Sequence, residues 1–444
     1  MELAMNAPVT NSLYEKAKNI IPGEVQLFSK KPELFAPGSW PAYYSKAIGC
    51  EVWDLDNNHY YDFSTNGIGA CILGFNHPNI SEAAKKAIDN GCMSSLNPPE
   101  EIALAERLCE LHPWASKVRF TRCGGESMAV AVRIARAATG RSMIAVCGYH
   151  GWHDWYLAAN LGNDSSLDGH LLPGLAPLGV PRELLGTTKT FAFNDTEALK
   201  VILEQHGSKL AAIVMEPCRH HFPNSEFINI VREGASKTGA ALIFDEITIG
   251  FRLHYGGAHL KMGVHPDIAV FAKALGNGHP IGAVIGVPAF MDAAKYSFIS
   301  STYWTERVGP AAALAVLDEM SRTNVPEYIA GIGQAVKDTW RKMAEKHKVQ
   351  VNIDDGFPCL SQFAFAHKQS QELKTLFTQF MIEEGFLAGT GFYPTMAHNV
   401  EIIKKYALAV DRVFSKLSKI IETDSIVKSM SGPPAQKTFA RLLK

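Results

Sequence analysis

The chain has 444 residues, 47% of them apolar and 20% charged, with a formal net charge of −1. That length holds two or three domains, or one large core with a satellite, and near-neutrality argues against a broad electrostatic surface for nucleic acid or membrane. No run approaches the roughly 18 consecutive apolar residues of a membrane span, residues 1–11 lack the basic start and apolar core of a secretory signal, and the eight cysteines never form a Cys-x-x-Cys pair, which favours free thiols in a reducing, cytoplasmic setting.

Residues 12–21 read as a short helix stopped by Pro22-Gly23. Strand-like runs at 51–55 and 60–63 flank Asp56-Asn57-Asn58 as a hairpin, and the Gly-rich stretch 64–75 suits backbone that passes close to a ligand or another backbone. Pro78 opens a helix that runs to 90. Pro98-Pro99 open another through 111, with Ile102, Leu104, Leu108 and Leu111 assigned to its apolar side. From 117 to 287 the pattern alternates. Strands are expected at 117–121, 142–146, 210–216, 240–245, 268–272 and 283–286, with helices between most of them, which implies a mostly parallel sheet covered by helices. An Ala-rich helix follows at 309–320. Beyond it come a helix, a strand near 359–365, a helix at 371–384 and a last helix at 399–421.

In open α/β sheets ligands sit beyond the carboxyl ends of the strands, and the unusual residues fall there. Arg122-Cys123-Gly124-Gly125-Glu126 joins a strand to a helix, a setting for a phosphate on free helix-start amides or simply a tight turn. Gly148-Tyr149-His150-Gly151-Trp152-His153-Asp154 follows the next strand, and its rings suit a stacked planar ligand or an ordinary aromatic cluster. His150, His153 and Asp154 have only a weak metal-ligand spacing, and no metal is expected. Asp245-Glu246 closes a buried strand, which is costly unless the charge is partnered. Lys273 sits in Val-Phe-Ala-Lys-Ala-Leu-Gly with no other charged residue between Ile268 and Gly282. A desolvated lysine has a lowered pKa and attacks carbonyls. A phosphate cup, a stacking ring, a buried carboxylate and such a lysine are together the parts that hold pyridoxal 5'-phosphate (PLP).

With these motifs the sequence resembles the class III PLP-dependent aminotransferases and, within them, the glutamate-1-semialdehyde 2,1-aminomutase branch. The similarity runs from Ile21-Pro22-Gly23 to the C-terminal helix and is most specific in Ile243-Phe244-Asp245-Glu246-Ile247-Thr248-Ile249-Gly250-Phe251-Arg252 and Ala272-Lys273-Ala274-Leu275-Gly276-Asn277-Gly278. The resemblance implies an α/β, fold-type-I transferase: a large domain at 76–310 with a mostly parallel sheet, and a smaller α+β domain from 1–75 and 311–444. It also implies that Lys273 is the Schiff-base lysine and proton shuttle, and that Asp245 pairs with the pyridine nitrogen. Ile247 and Tyr149 would cover the two ring faces, Cys123, Gly124 and Gly125 would hold the phosphate, and Glu216 would line the pocket. Thr302 would reach the phosphate of a neighbouring subunit in a homodimer with shared sites.

The departures lie on the substrate side. Lys30 stands near the arginine that grips the substrate carboxylate in the aminomutases, and a lysine lacks the bidentate fork. His220-His221 replace a smaller polar pair, Tyr303-Trp304-Thr305-Glu306-Arg307-Val308-Gly309-Pro310 is bulkier than the family's run, and Thr390-Gly391-Phe392-Tyr393 replaces Phe-Glu-Ala-Gly. Lys30, His150, His221, Tyr303 and Trp304 are therefore the expected substrate contacts. The expected activity is amino transfer between a small-molecule amino donor and a carbonyl acceptor, with a polyhydroxylated, sugar-like compound as the expected acceptor class and the intramolecular aminomutase as the alternative. A non-catalytic descendant would be expected to have lost Lys273 or Asp245, and both are present.

Overall fold

The computed structural model describes residues 7–170 and 173–437, which divide into two compact units: Met1–His77 with Val325–Lys444, and Pro78–Asn324. The boundary expected at 310 falls inside the helix Val308–Arg322, which packs on the helices Pro78–Asp89 and Glu100–Leu111 of the larger unit. The division lies at 324 instead.

The smaller unit opens with the helix Pro8–Ile20, four residues earlier than expected. The Asp56 carboxylate accepts from the Val9 and Thr10 N–H groups at 2.9 and 3.0 Å, so a turn distant in sequence satisfies donors that a helix start leaves open. Strands β1 (Tyr44–Ile48), β2 (Glu51–Asp54) and β3 (His59–Phe63) form an antiparallel meander.

The larger unit carries a seven-stranded sheet: β4 (Lys117–Thr121), β5 (Met143–Cys147), β6 (Thr188–Thr190), β7 (Leu210–Met215), β8 (Ala241–Asp245), β9 (Ile268–Phe271) and β10 (Gly282–Gly286). Their spatial order is β4-β10-β9-β8-β7-β5-β6. Only β10 is antiparallel to its neighbours, and it lies between β4 and β9. Hence β4 runs the same way as β5, β7, β8 and β9, and these five strands deliver their carboxyl ends to one edge. Strands β7, β8 and β9 are wholly buried, as their unbroken Val/Ile/Leu/Ala/Phe runs require. The edge strand β6 was not expected: three residues with a central lysine carry no strand pattern. In the helix Glu100–Leu111, Leu104 and Leu108 are fully buried while Ile102 is 65% exposed. At about 100° per residue Ile102 stands some 200° from Leu104, on the other side.

The chain returns to the smaller unit through the helix Val325–His347, then β11 (Val351–Ile353), β12 (Ser361–Phe365), β13 (Phe386–Ala388), β14 (Gly391–Phe392) and the helices Ser370–Glu383 and Val400–Glu422. Strand β13 extends the first meander, parallel to β3. Phe63 is the hub of this unit's core, stacked on Tyr406 at 4.1 Å and Phe392 at 5.0 Å. Phe63→Ala is expected to destabilise this unit by about 3–5 kcal/mol, read as a lower urea midpoint for its unfolding.

Candidate active site

Asp245 ends β8 and is 4% exposed. One oxygen accepts from the Ile247 N–H at 3.0 Å, and the other faces His150 Nδ1 at 2.8 Å. His150 is 2% exposed, and its Nε2 lies 3.1 Å from the Cys147 carbonyl. A carboxylate and a carbonyl both accept, so both ring nitrogens face acceptors within the protein. His150, expected to touch substrate, is thus committed to Asp245, with no polar atom left for a ligand.

Lys273 follows β9 with φ of +48°, a left-handed conformation that costs a residue with a side chain about 1–2 kcal/mol. Its Nζ donates to Thr248 Oγ1 at 2.9 Å. Desolvation, with the positive charge of Arg219 next, lowers its pKa from 10.5 to about 8 against the opposing pull of Asp245 and Glu216.

The turn after β4 starts the helix Gly124–Thr139, with Cys123 as its N-cap and Glu126 reaching back to the Arg122 N–H at 2.8 Å. A Cβ on Gly124 would lie 2.9 Å from Ile247 Cδ1, and one on Gly125 would lie 3.1 Å from the His153 ring. The cradle therefore tolerates only glycine without a shift, and the first amides of the helix face out of it. His153 Nδ1 is buried beside it with no hydrogen-bond partner among the described residues.

Beyond β5, the half-buried Tyr149 packs edge-on to Tyr156 at 6.1 Å, and its N–H donates to Glu216 Oε2 at 3.2 Å. Burial pushes the Glu216 carboxyl up, but the guanidinium of Arg219, bonded to both of its oxygens, overrides this and holds it below the ordinary carboxylate range. A cavity of about 360 Å³ opens here, lined by Gly148, His170, Phe193, Glu216, Arg219 and His221 among others. His170 Nδ1 accepts from the Gly148 N–H at 3.0 Å.

The remaining expected residues are dispersed. Trp304 donates from Nε1 to Glu126 at 3.0 Å and packs on the core of the larger unit, so it braces the glycine turn rather than offering its N–H to substrate. Thr302 and Tyr303 are exposed. Lys30 is exposed on the turn Phe28–Lys30 of the smaller unit. Arg219 and Thr248 were not singled out from the sequence, and His153 was weighed only as a metal ligand. Arg219 had a signal, a guanidinium three residues after a strand-end carboxylate.

The profile of the family Aminotransferase class-III matches residues 35–389. The 3-aminobutyryl-CoA aminotransferase of Cloacimonas acidaminovorans (strain Evry) is 32% identical over 377 residues, covering 83% of this chain and 86% of that protein. The 2'-deamino-2'-hydroxyneamine transaminase of Streptomyces kanamyceticus is 30% identical over 380 residues, 84% of this chain and 91% of that protein. A transaminase solved with PLP bound superposes with a TM-score of 0.81 at 26% identity, covering 94% of this chain and 99% of the other. The chain belongs to the class-III aminotransferases, and its cofactor is PLP. The donors along this sheet edge fit that cofactor. A glycine cradle with an unsatisfied imidazole suits the phosphate, a buried, hydrogen-bonded carboxylate suits a protonated ring nitrogen, and a desolvated amine suits the aldehyde.

The lowered amine has a consequence for cofactor-free protein. Between pH 8 and 10.5 the unfolded chain keeps the Lys273 proton while the fold has released it, so stability climbs with pH across this window and is lowest below about 8. Lys273→Met is expected to remove that climb in denaturation curves recorded across the window.

Proposed function

We propose that the protein moves an amino group intermolecularly between an amine donor and the carbonyl of a hydroxyl-rich, sugar-like acceptor. In this reading PLP supplies the carbonyl that takes up the amine and the ring that absorbs the electrons of the neighbouring carbon. Lys273 is the covalent anchor and the base, since an amine near pH 8 takes and returns a proton at working pH. Asp245, buried against the His150 ring, would pair with the ring nitrogen. Ile247 and Tyr149 cover the ring faces, and Cys123, Gly124 and Gly125 hold the phosphate.

The single observation that carries the acceptor class is the charge balance of the cavity. Its one guanidinium is bonded to its one carboxylate, and His170, which accepts on Nδ1, is a neutral donor on Nε2. Such a wall, with its guanidinium already engaged, hydrogen-bonds hydroxyls. The relative that acts on a neamine derivative supports the same class. The relative named for 3-aminobutyryl-CoA favours a second reading, in which the amine stands β to a thioester. The aminomutase reading rests on cofactor residues alone, because neither Lys30 nor the cavity supplies a bidentate carboxylate grip.

The reading includes a homodimer in which the partner subunit's Thr302 reaches the phosphate. Tyr296, Phe298 and Tyr303 are 89%, 92% and 68% exposed, and aromatic surface of that kind suits a second copy. No helix among the described residues is long and apolar enough to cross a membrane, and all eight cysteines are free, in keeping with a reducing, cytoplasmic setting.

Holoenzyme is expected to absorb at roughly 410–430 nm and Lys273→Ala to lose that band. In a half-reaction screen the band should bleach faster with neamine than with L-glutamate or 3-aminobutyrate. Faster bleaching by 3-aminobutyryl-CoA would replace the acceptor class with the thioester, and efficient conversion of glutamate-1-semialdehyde to 5-aminolevulinate would overturn intermolecular transfer.

A further inference from the structure

We infer that Thr248 is a positioning residue for the Lys273 amine, bonded to it in both of its protonation states. The inference rests on the reading of Lys273 above. It starts from the 2.9 Å contact between Lys273 Nζ and Thr248 Oγ1. A lysine that exchanges a proton alternates between an ammonium, which can only donate, and an amine with a lone pair. A carboxylate partner would serve the first state alone and an arginine would oppose it. A hydroxyl serves both, accepting from the ammonium and donating to the amine. Among the described residues Thr248 Oγ1 has no second hydrogen-bond partner, so its proton is available for the second state.

The backbone makes this contact a fixed one. Thr248 sits in the turn that leaves β8, between Ile247, whose N–H is held by Asp245, and Gly250, whose N–H donates to the Glu246 carbonyl at 2.7 Å. A Cβ on Gly250 would lie 2.4 Å from that carbonyl and 3.1 Å from Phe271, so the turn is folded tightly against β9. The Glu246 carboxylate is pinned from the opposite side by the Ala258 and His259 N–H groups and the His259 ring, at 2.7–3.0 Å. One short turn thus carries Asp245, Ile247 and Thr248 in fixed relation. The charged groups acting on Lys273 are Asp245 at the end of β8, Glu216 and Arg219 after β7, and Arg252 beyond the turn. Thr248 is the neutral polar group that touches the amine.

The test compares wild type, Thr248→Val and Thr248→Ser. Valine matches the shape of threonine and deletes the hydroxyl, whereas serine keeps it. Each full-length protein is stripped of cofactor, and PLP loading is followed at about 410–430 nm from pH 6.5 to 10. The pH midpoint of the loading rate reports the free Lys273 amine without any turnover. Above that midpoint, where the amine is free in both proteins, Thr248→Val is expected to load about five- to tenfold more slowly, as loss of one positioning hydrogen bond predicts. Its midpoint should fall, because the hydroxyl solvates the ammonium more strongly than the amine. The first half-reaction should slow in parallel, and Thr248→Ser should restore both values. A Thr248→Val profile that superposes on wild type overturns the inference. So does an equal loss in valine and serine, which would mark a packing role. Lys273→Ala is run beside them: if it keeps the band, the reading of Lys273 itself has failed, a different result from either of these.

Discussion

A carboxylate buried at the end of a central strand needs compensation on every side, and the way Asp245 receives it sets the layout of the larger unit. One oxygen takes the Ile247 N–H, which shapes the following turn, and the other takes the His150 ring, which ties the end of β8 to the end of β5. His150 in turn anchors on the carbonyl of Cys147, the last residue of β5. Truncating one member of such a pair leaves a buried charge unpaired, at a cost of about 3–5 kcal/mol. Asp245 is therefore an acceptor fixed in direction by its own fold.

The adjacent acid solves the same problem on the other side of the chain. Glu246 is 1% exposed and turns away from Asp245, accepting from the Ala258 and His259 amides and the His259 ring, while Trp114 donates to the far nitrogen of that ring at 3.1 Å. Two neighbouring negative charges at one strand end thus have separate partners. The Asp-Glu dipeptide is a two-sided clamp on the turn that carries Ile247 and Thr248.

Much of this was legible in the residue order. Unbroken apolar runs closed by Asp245, Glu216 and Lys273 mark fully buried parallel strands, and their carboxyl ends are where ligands sit in such sheets. The glycines at 124 and 125 stand where Ile247 and His153 approach closely and leave little room for a side chain. The misreadings share one cause. His150 and Trp304 carry polar atoms of the kind that contacts substrate, but a sequence does not show whether a polar atom is already engaged. Both are, with Asp245 and with Glu126. The boundary at 310 and the burial of Ile102 failed for a related reason, since each depends on which helix packs on which.

The sequence by itself determined the cofactor and the class of chemistry, because a desolvated lysine, a strand-end carboxylate and a glycine turn at fixed places along the chain have few other joint uses. The tertiary structure alone decided which polar groups meet. That His150 serves Asp245 and that Thr248 meets Lys273 depend on side chains 95 and 25 positions apart arriving within 2.9 Å of one another. Hydrogen bonds of that length are fixed by strand order and turn geometry, which no local pattern encodes.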